Sequence, residues 1–291
     1  MPAASVPVVL VLAGNDPSGG AGLQADIEAL ASMGCHAAPV VTALTVQDTR
    51  DVQAVYPVEP ARVVEQARAV LEDLPVGAVK IGLLGTAANA AAVHSLLTDY
   101  PRLPVVLDPV LRAGGGRALA DAELVESLRT LLLPQTTVLT PNGPEARLLA
   151  PDADGPEAAA HALVEAGCEF VLLTGGHETA IPGPGPEGRR TAQVVNRLYA
   201  QEGGAPRLVE SYAWERLPGE HHGSGCTLAS ALAGLLAQGE DPRSAARQAQ
   251  EYTWETLRRA YRVGMGQLIP NRLYWAHCGE EPQRLRQAPG D

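Results

Sequence analysis

The chain has 291 residues, 22 basic and 33 acidic side chains, and a net charge of −11, which argues against nucleic acid or an anionic membrane as a partner. A signal peptide carries basic residues before its apolar stretch, but no basic residue precedes Val6–Ala13. This stretch is also too short to span a bilayer. The cysteines at 35, 168, 226 and 278 show neither paired nor metal-ligand spacing, so we expect a reduced, cytoplasmic protein.

The first predicted element is a strand over Val6–Ala13, because a continuous valine-rich run is typical of a parallel strand covered on both faces. A glycine-rich turn over 14–22 and a helix over 23–30 follow it. This succession favours a ligand site at the carboxyl end of the strand. The turn matches neither phosphate-binding glycine fingerprint, so a plain turn is the alternative.

Two further extended stretches, Ala37–Leu44 and Val52–Val58, enclose a polar segment over 45–49. Within that segment, Gln47 offers both a donor and an acceptor, which suits a heteroaromatic ring nitrogen and a neighbouring amine. A glutamine that simply faces water is the alternative.

From Pro60 onward the pattern alternates between helix and strand. The predicted helices cover 61–71, 87–97, 119–132, 145–149 and 157–166, and the predicted strands cover 77–81, 105–110, 137–140 and 170–173. Repeated β-α units of this length predict one α/β domain over 1–291, with a mainly parallel sheet and helices on both faces.

Polar residues follow three of these strands: Asp108 after one, Asn142 and Glu145 after the next, and the stretch 174–177 after the third. Open α/β sheets bind ligands at this edge, and carboxylates there suit Mg²⁺ held largely through water. The alternatives are a turn cap for Asp108 and a capping pair for Asn142 and Glu145.

Beyond His177, the proline- and glycine-rich run 181–188 is predicted to form neither helix nor strand. Strands over 193–200 and 207–214 are predicted to form an antiparallel hairpin that covers bound nucleotide. A last long helix is predicted from Asp241 to about Tyr261, and residues 271–291 are predicted to form a polar tail.

Before that last helix, a glycine-containing turn leads into a run of helix formers over 221–236. Free backbone N–H groups at such a helix start, with the positive end of the helix dipole behind them, form an anion site. Cys226 lies in the first turn, where this field is expected to lower the pKa of the thiol and favour thiolate. A plain turn with a small buried cysteine is the alternative.

Together these segments resemble the ribokinase-like superfamily and, within it, the hydroxymethylpyrimidine/phosphomethylpyrimidine kinases of thiamine biosynthesis. The segments that carry the resemblance stand in the family's order and reach to about residue 240: 13–26 (AGNDPSGGAGLQAD), 42–49 (TALTVQDT), 80–84 (KIGLL), 107–110 (LDPV), 140–146 (TPNGPEA) and 222–228 (HGSGCTL). The resemblance implies a ribokinase-like three-layer α/β/α sandwich, with ATP and Mg²⁺ as cofactors.

The resemblance also implies roles for individual positions. Gly223, Ser224 and Gly225 would form the anion hole for the transferred phosphoryl group, and Cys226 would stand where sugar kinases of the superfamily carry an aspartate base. Asp108 and Glu145 would organise Mg²⁺. The residues expected around the pyrimidine are Gly14, Ala21, Asp26, Gln47, Leu83 and Val110, and those expected at the ATP phosphates are Asn142, Thr174 and Gly176.

The chain departs from the family pattern in two places. Thr174 stands where these kinases commonly carry a lysine that reaches the ATP phosphates, and the segment 111–116 is unusual. Lys80, the only lysine, suits a structural role better than contact with ATP. Either an arginine or the metal compensates for the missing lysine, or phosphoryl transfer is weakened. Arg112 is the first candidate for that arginine and the Arg189–Arg190 pair is the second, and a solvated Arg112 is the alternative.

Three functions are open at this point. The resemblance favours an ATP-dependent kinase that phosphorylates 4-amino-5-hydroxymethyl-2-methylpyrimidine and its monophosphate. A pyridoxal kinase of the same superfamily is the second, and a non-catalytic, pyrimidine-binding regulatory protein is the third, which Thr174 leaves open. Relatives in the superfamily are often dimers, so a homodimer is possible, although no stretch of the chain identifies an interface.

Overall fold

The chain is built on one large β-sheet in the computed structural model, which describes residues 6–176, 181–184 and 190–277. The strands are β1 (Val8–Asn15), β2 (His36–Gln47), β3 (Val52–Pro57), β4 (Val76–Ile81), β5 (Val105–Leu107), β6 (Val138–Leu139), β7 (Phe170–Leu173), β8 (Ile181–Pro184), β9 (Arg190–Glu202) and β10 (Ala205–Glu215). The helices are α1 (Gly22–Ser32), α2 (Pro60–Asp73), α3 (Ala87–Asp99), α4 (Ala122–Ser127), α5 (Gly143–Leu149), α6 (Pro156–Glu165), α7 (Ser224–Ala237) and α8 (Pro242–Arg258).

The strand order is β10-β9-β7-β6-β5-β4-β1-β2-β3. The six strands from β7 to β2 run parallel to their neighbours, whereas β3 and the β9–β10 hairpin are antiparallel at the two edges. The prediction of a mixed α/β fold with a mainly parallel sheet is therefore confirmed.

Strand β1 shows why the sheet is covered on both faces. Val9 and Val11 join one apolar core, Leu10 and Leu12 join the other, and none of the four is exposed. Successive side chains of a strand point to opposite faces, so a run without polar residues requires a layer on each side. Helices α1, α7 and α8 supply one core, and α2 to α6 supply the other.

The predicted hairpin is present and longer than expected. Strands β9 and β10 are joined through Gly203 and Gly204, both with positive φ, at 60° and 84°. Because β9 also pairs with β7, the hairpin extends the sheet. The prediction that 181–188 forms no strand is wrong for 181–184, since β8 pairs with β9 and prolines are tolerated in a strand at a sheet edge. Residues 185–189 lie outside the described part of the chain.

Several predicted elements are shorter in the structure, among them the last helix, which ends at Arg258, and the strand expected over 137–140, which covers only Val138–Leu139. The helix expected over 119–132 is regular only in α4, and it continues as a wider turn over 128–132 and a tight turn over 133–135. Pro134 has no N–H for a helical hydrogen bond, so the regular pattern cannot extend through it. The strand expected over 105–110 ends at Leu107, two residues before Pro109.

The first residues of the predicted polar tail belong to the folded body. Arg272 is only 1% exposed, and the hydroxyl of Tyr252 in α8 donates to its carbonyl oxygen at 2.8 Å. Residues 278–291 lie outside the described part of the chain. Within that part, helices are either too short or too polar to cross a bilayer.

Candidate active site

A cleft of about 1140 Å³ opens where the carboxyl ends of the parallel strands meet the start of α7. Nearly all residues that the sequence marks as site residues line it: Gly14, Ala21, Gln47, Leu83, Asp108, Val110, Asn142, Glu145, Thr174, Gly176, Gly223, Ser224, Gly225 and Cys226. Ligands of open α/β sheets bind in this position.

Two turns are locked together at one end of the cleft. Asp16 accepts hydrogen bonds from the backbone N–H groups of Ser18 and Ala21, both at 2.8 Å, and lies 2.9 Å from Nε2 of His222. Burial opposes ionisation of Asp16, but the hydrogen bonds from His222 and Ser18 hold the pKa of this carboxyl below its ordinary value. The carboxylate thus fixes the glycine-rich turn after β1 against the turn that precedes α7.

The turn before α7 requires glycine at its centre. Gly223 has φ 80°, and a Cβ on this residue would collide with the carbonyl oxygen of Gly20. Within the described chain no side chain caps α7, so the N–H groups of Ser224, Gly225 and Cys226 are available to a ligand in the cleft. Uncapped N–H groups at the positive end of a helix dipole are what the predicted anion site requires.

Cys226 lies in this first turn, but its thiol is not activated as the sequence predicts. Burial raises the pKa of Cys226 to about 12. The charge of Lys80 acts to lower this pKa, but the carboxylate of Asp108 opposes that effect. The prediction of a lowered pKa and a resting thiolate is therefore wrong. The field of the helix is outweighed by desolvation and by neighbouring carboxylates.

Asp26 is the one predicted site residue that lies behind the cleft wall. Its side chain is fully buried, 2.9 Å from Nζ of Lys80, and accepts a hydrogen bond from Ser230 at 2.6 Å. Burial alone would lower the pKa of Lys80, but Asp26 and other acidic groups raise it above its ordinary value. Asp26 is thus placed to support the floor of the site, in contrast to the contact with the pyrimidine that the resemblance implies.

Asp108 and Glu145 face the cleft from neighbouring strand ends and are 5% and 6% exposed. Burial raises the pKa of Asp108 to about 6 and that of Glu145 to about 8, and the charge of Asp108 adds to the second shift. Glu145 also forms a capping box with Asn142, so the capping alternative is realised.

These two carboxylates fit a magnesium ion held partly by phosphate and water. Three or more His, Cys, Asp or Glu side chains do not converge on a metal position anywhere in the described chain. Burial raises the proton affinity of both carboxylates, and Asp108 raises that of Glu145 further, so a cation bound beside them would offset their charge. Mg²⁺ commonly takes one or two protein carboxylates beside phosphate oxygens. The donor set therefore suits Mg²⁺ that arrives with a nucleotide.

The side chain of Thr174 is hydrogen-bonded to the backbone of the segment that follows β6. Its hydroxyl donates to the carbonyl oxygen of Pro141 at 3.3 Å, so it offers no charge to the cleft. Arg112 lines the cleft, with Nη1 3.5 Å from the carbonyl oxygen of Gly116. Of the second candidate pair, Arg189 lies outside the described residues, as does the side chain of Arg190.

Several residues that the sequence reasoning missed also shape the site. Arg216 lines the cleft and donates to the carbonyl oxygen of Gly176 at 2.8 Å, beside the segment that lacks a lysine. Its position just past a predicted strand end was the available signal. His222 stands 3.1 Å from the amide nitrogen of Gln47, and the segment 222–228 already contained it. Arg272 had no signal, because it follows the last matched segment.

Comparisons with known proteins agree with this architecture. The phosphomethylpyrimidine kinase family model matches residues 16–271. The hydroxymethylpyrimidine/phosphomethylpyrimidine kinase of Salmonella typhimurium is 39% identical over 235 residues, which cover 78% of this chain and 81% of that kinase. The thiamine biosynthesis bifunctional protein ThiED of Geobacter sulfurreducens is 38% identical over 262 residues, or 89% of this chain, although the chain spans only 50% of that protein.

A solved structure shares the fold. The ADP complex of Bacillus subtilis pyridoxal kinase superposes with a TM-score of 0.79 over 94% of this chain and 100% of that chain, at 24% identity. At 24% identity, this similarity shows a shared fold and nothing about activity. Since the family model matches residues 16–271 and a relative that is 39% identical covers 78% of the chain, the chain belongs to the phosphomethylpyrimidine kinase family, a family of phosphotransferases.

Proposed function

We propose that this chain transfers the γ-phosphoryl group of ATP to the hydroxyl of 4-amino-5-hydroxymethyl-2-methylpyrimidine, and then to the resulting monophosphate, in thiamine biosynthesis. The observation that carries the proposal is that Gln47 and the anion site at Gly223–Cys226 line one cleft, together with Asp108 and Glu145. A kinase of a small heteroaromatic alcohol needs an amide that hydrogen-bonds to the ring and a turn that binds the phosphoryl group, both in one cleft. A ribokinase-like three-layer α/β/α sandwich accommodates both.

The pyrimidine would lie against Gln47, with Gly14, Ala21, Leu83 and Val110 around it. The amide of Gln47 pairs with the ring nitrogen and its neighbouring amine as donor and acceptor. A Cβ on Gly14 would lie only 3.0 Å from a methyl carbon of Leu83, so the glycine keeps this wall open for a flat ring. Asp26 supports the wall from behind through Lys80 and Ser230.

The transferred phosphoryl group would rest on the N–H groups of Ser224, Gly225 and Cys226. These N–H donors would stabilise the negative charge that spreads over the phosphoryl oxygens in the transition state. Mg²⁺ bound with ATP supplies a further positive charge to those oxygens, and Asp108 and Glu145 would hold it mainly through water. Asn142, Thr174 and Gly176 border the part of the cleft assigned to the other phosphates.

Cys226 would position the substrate hydroxyl and accept its proton late in the reaction. Since the transition state of phosphoryl transfer is loose, the hydroxyl needs little base strength before the new bond forms. The thiol of Cys226 hydrogen-bonds to Asp108. As the hydroxyl proton passes to sulfur, the thiol proton can pass to the carboxylate of Asp108, so that no free thiolate is required.

The experiment that tests the proposal measures ADP release with three alcohols in parallel: the hydroxymethylpyrimidine, its monophosphate and pyridoxal. We expect turnover with both pyrimidines and a much lower kcat/KM with pyridoxal. Preference for pyridoxal would support the second candidate function, and binding of pyrimidine without turnover would support a regulatory protein. A cytoplasmic location and a homodimer remain predictions.

A further inference from the structure

Arg272 is a buried cation next to the proposed phosphoryl site. Its side chain is fully enclosed, although it belongs to the C-terminal segment that follows α8. The carbonyl oxygen of Arg272 accepts a hydrogen bond from Tyr252, which fixes the backbone of this segment against α8. A long charged side chain is rarely fully buried unless its donors are paired, so its contacts identify what it holds.

Those contacts reach both turns that build the anion site. Nε of Arg272 donates to the hydroxyl of Thr227 at 2.9 Å, and Thr227 in turn donates to the carbonyl oxygen of Gly223 at 2.8 Å. Nη2 of Arg272 donates to the carbonyl oxygen of Gly20. One guanidinium therefore connects the turn before α7 to the glycine-rich turn after β1.

The two turns approach each other closely beside this connection. A Cβ on Gly223 would meet the carbonyl oxygen of Gly20 and would lie 2.9 Å from Nη2 of Arg272. Two backbone segments in such contact bring polar groups together without side chains between them. The guanidinium supplies the donor that the carbonyl oxygen of Gly20 needs when it is buried there.

The position of the charge is unfavourable for stability alone. A cation at the start of α7 faces the positive end of the helix dipole, and its nearest carboxylate, Glu28 at 3.1 Å, is 25% exposed. The link between the two turns needs N–H donors arranged in a fork, but it does not by itself require their positive charge. A charge at this place does add to the field that an anion experiences at the N–H groups of Ser224–Cys226.

We propose that Arg272 is a positioning residue for phosphoryl transfer. It holds the Gly20 and Gly223 turns in register, so that the N–H groups of Ser224–Cys226 stay directed at the transferred phosphoryl group, and its charge strengthens their field. The C-terminal segment is then a working part of the active site. This inference rests on the proposed kinase function.

The test compares the full wild-type chain with Arg272→Gln and Arg272→Lys. We expect Arg272→Gln to lower kcat for the pyrimidine alcohol about 100-fold, while the KM for that alcohol changes less than about threefold. Affinity for ADP with magnesium and aluminium fluoride, which mimics the phosphoryl group during transfer, falls in the same proportion, whereas affinity for ADP alone is retained. Arg272→Lys recovers only a small part of kcat, because an ammonium group lacks the planar fork that reaches both turns.

Arg259→Gln is the matched control. Arg259 stacks 4.6 Å from the ring centre of Tyr274 in the same C-terminal segment and pairs with Glu255. It is expected to keep the wild-type kcat. Near-ultraviolet circular dichroism reports the folded fraction of each variant, and Arg272→Lys decides the question if Arg272→Gln does not fold.

Two results would overturn the inference. One is an Arg272→Gln variant that retains kcat; the other is a loss of kcat matched by an equal loss of folded protein and of affinity for ADP alone. Absence of turnover by the wild-type chain would refute the proposed function instead. In that case the affinity for ADP with aluminium fluoride, compared between wild type and the Arg272 variants, still decides the role of Arg272.

Discussion

Nζ of Lys80 lies 2.9 Å from Oδ1 of Asp26, and neither side chain is exposed to solvent. The pair joins β4 to α1, Lys80 lines the cleft, and Ser230 of α7 donates to the same carboxylate oxygen. The floor of the candidate active site therefore depends on a buried ion pair between residues that are far apart in the sequence.

Breaking this pair from one side is expected to destabilise the chain. Lys80→Met leaves the Asp26 carboxylate buried without its cation, which lowers the free energy of unfolding by about 3–5 kcal/mol. The control is Arg62→Met, which removes the exposed ion pair between Arg62 and Glu65, side chains that are 63% and 62% exposed. That change is expected to cost less than about 1 kcal/mol. Urea titration measures both, and equal effects would contradict a role for the buried pair.

Cys226→Ala is expected to lower kcat about 100-fold or more with a smaller change in KM, since the thiol acts mainly in the transition state. Because burial raises the pKa of Cys226 to about 12, iodoacetamide should modify this residue slowly at neutral pH, as followed by mass spectrometry. Denatured chain is the control for intrinsic reactivity. A near-normal kcat in the alanine variant would show that Cys226 only packs.

Gln47→Leu is expected to weaken binding of the pyrimidine by about 1–3 kcal/mol, because the ring amine and nitrogen lose their partners. Affinity for ATP should change little, and calorimetric titration with each ligand separates the two. Gln47 also lies 3.1 Å from Nε2 of His222, so His222→Gln serves as a comparison that alters this contact while Gln47 is kept. Equal losses for both ligands in Gln47→Leu would indicate a disturbed fold.

Glu145→Gln is expected to change how stability depends on pH. Since the pKa of Glu145 is raised to about 8 in the folded chain, the folded state holds this proton more tightly than the unfolded chain. The free energy of unfolding of the wild type therefore falls as pH rises from about 5 to about 8, and the variant, which has no proton to lose at this position, does not share this loss. The variant should gain roughly 1–3 kcal/mol relative to wild type across that range. Glutamine at this position preserves the capping box with Asn142, so helix α5 is not the cause.

A constant difference between the two proteins from pH 5 to pH 8 would contradict the raised pKa of Glu145. Magnesium and ATP provide a second check, because a bound cation favours the ionised carboxylate. Their addition should reduce the pH dependence of the wild type while leaving the variant almost unchanged.

Thr174 provides no cation to the ATP phosphates, and Arg112 is the first candidate to replace it. If Arg112 replaces it, Arg112→Ala should lower kcat at least about tenfold, and adding Thr174→Lys in the same chain should restore part of the loss. Arg216→Ala is the comparison, since Arg216 donates to the carbonyl oxygen of Gly176 next to this segment. An unchanged kcat in Arg112→Ala, with a gain in Thr174→Lys alone, would show that the chain lacks this cation.

The parallel sheet and the location of the cleft can be predicted from the sequence. Valine-rich runs such as β1 reveal strands covered on both faces, and polar residues such as Asp108 and Asn142 mark the strand ends where the cleft opens. The family resemblance is confirmed by the match over 16–271. Edge elements were harder to predict, because β8 forms only by pairing with a strand that comes later in the chain.

Electrostatic properties of the site could not be predicted from local pattern. The start of a helix favours thiolate, but whether it prevails over burial depends on Lys80, Asp108 and Asp26, which reach Cys226 from three other segments. The role of Arg272 cannot be predicted from the local sequence for the same reason. Its role depends on carbonyl oxygens of Gly19 and Gly20, which lie near the opposite end of the sequence.

The most direct test of the kinase assignment follows ³¹P resonances while the wild-type chain acts on ATP and the hydroxymethylpyrimidine. We expect the monophosphate to appear first and the diphosphate to follow as the monophosphate is consumed, with ADP formed in step. A parallel reaction with pyridoxal should yield much less product. Pyridoxal phosphate as the dominant product, or no phosphorylated pyrimidine at all, would contradict the account.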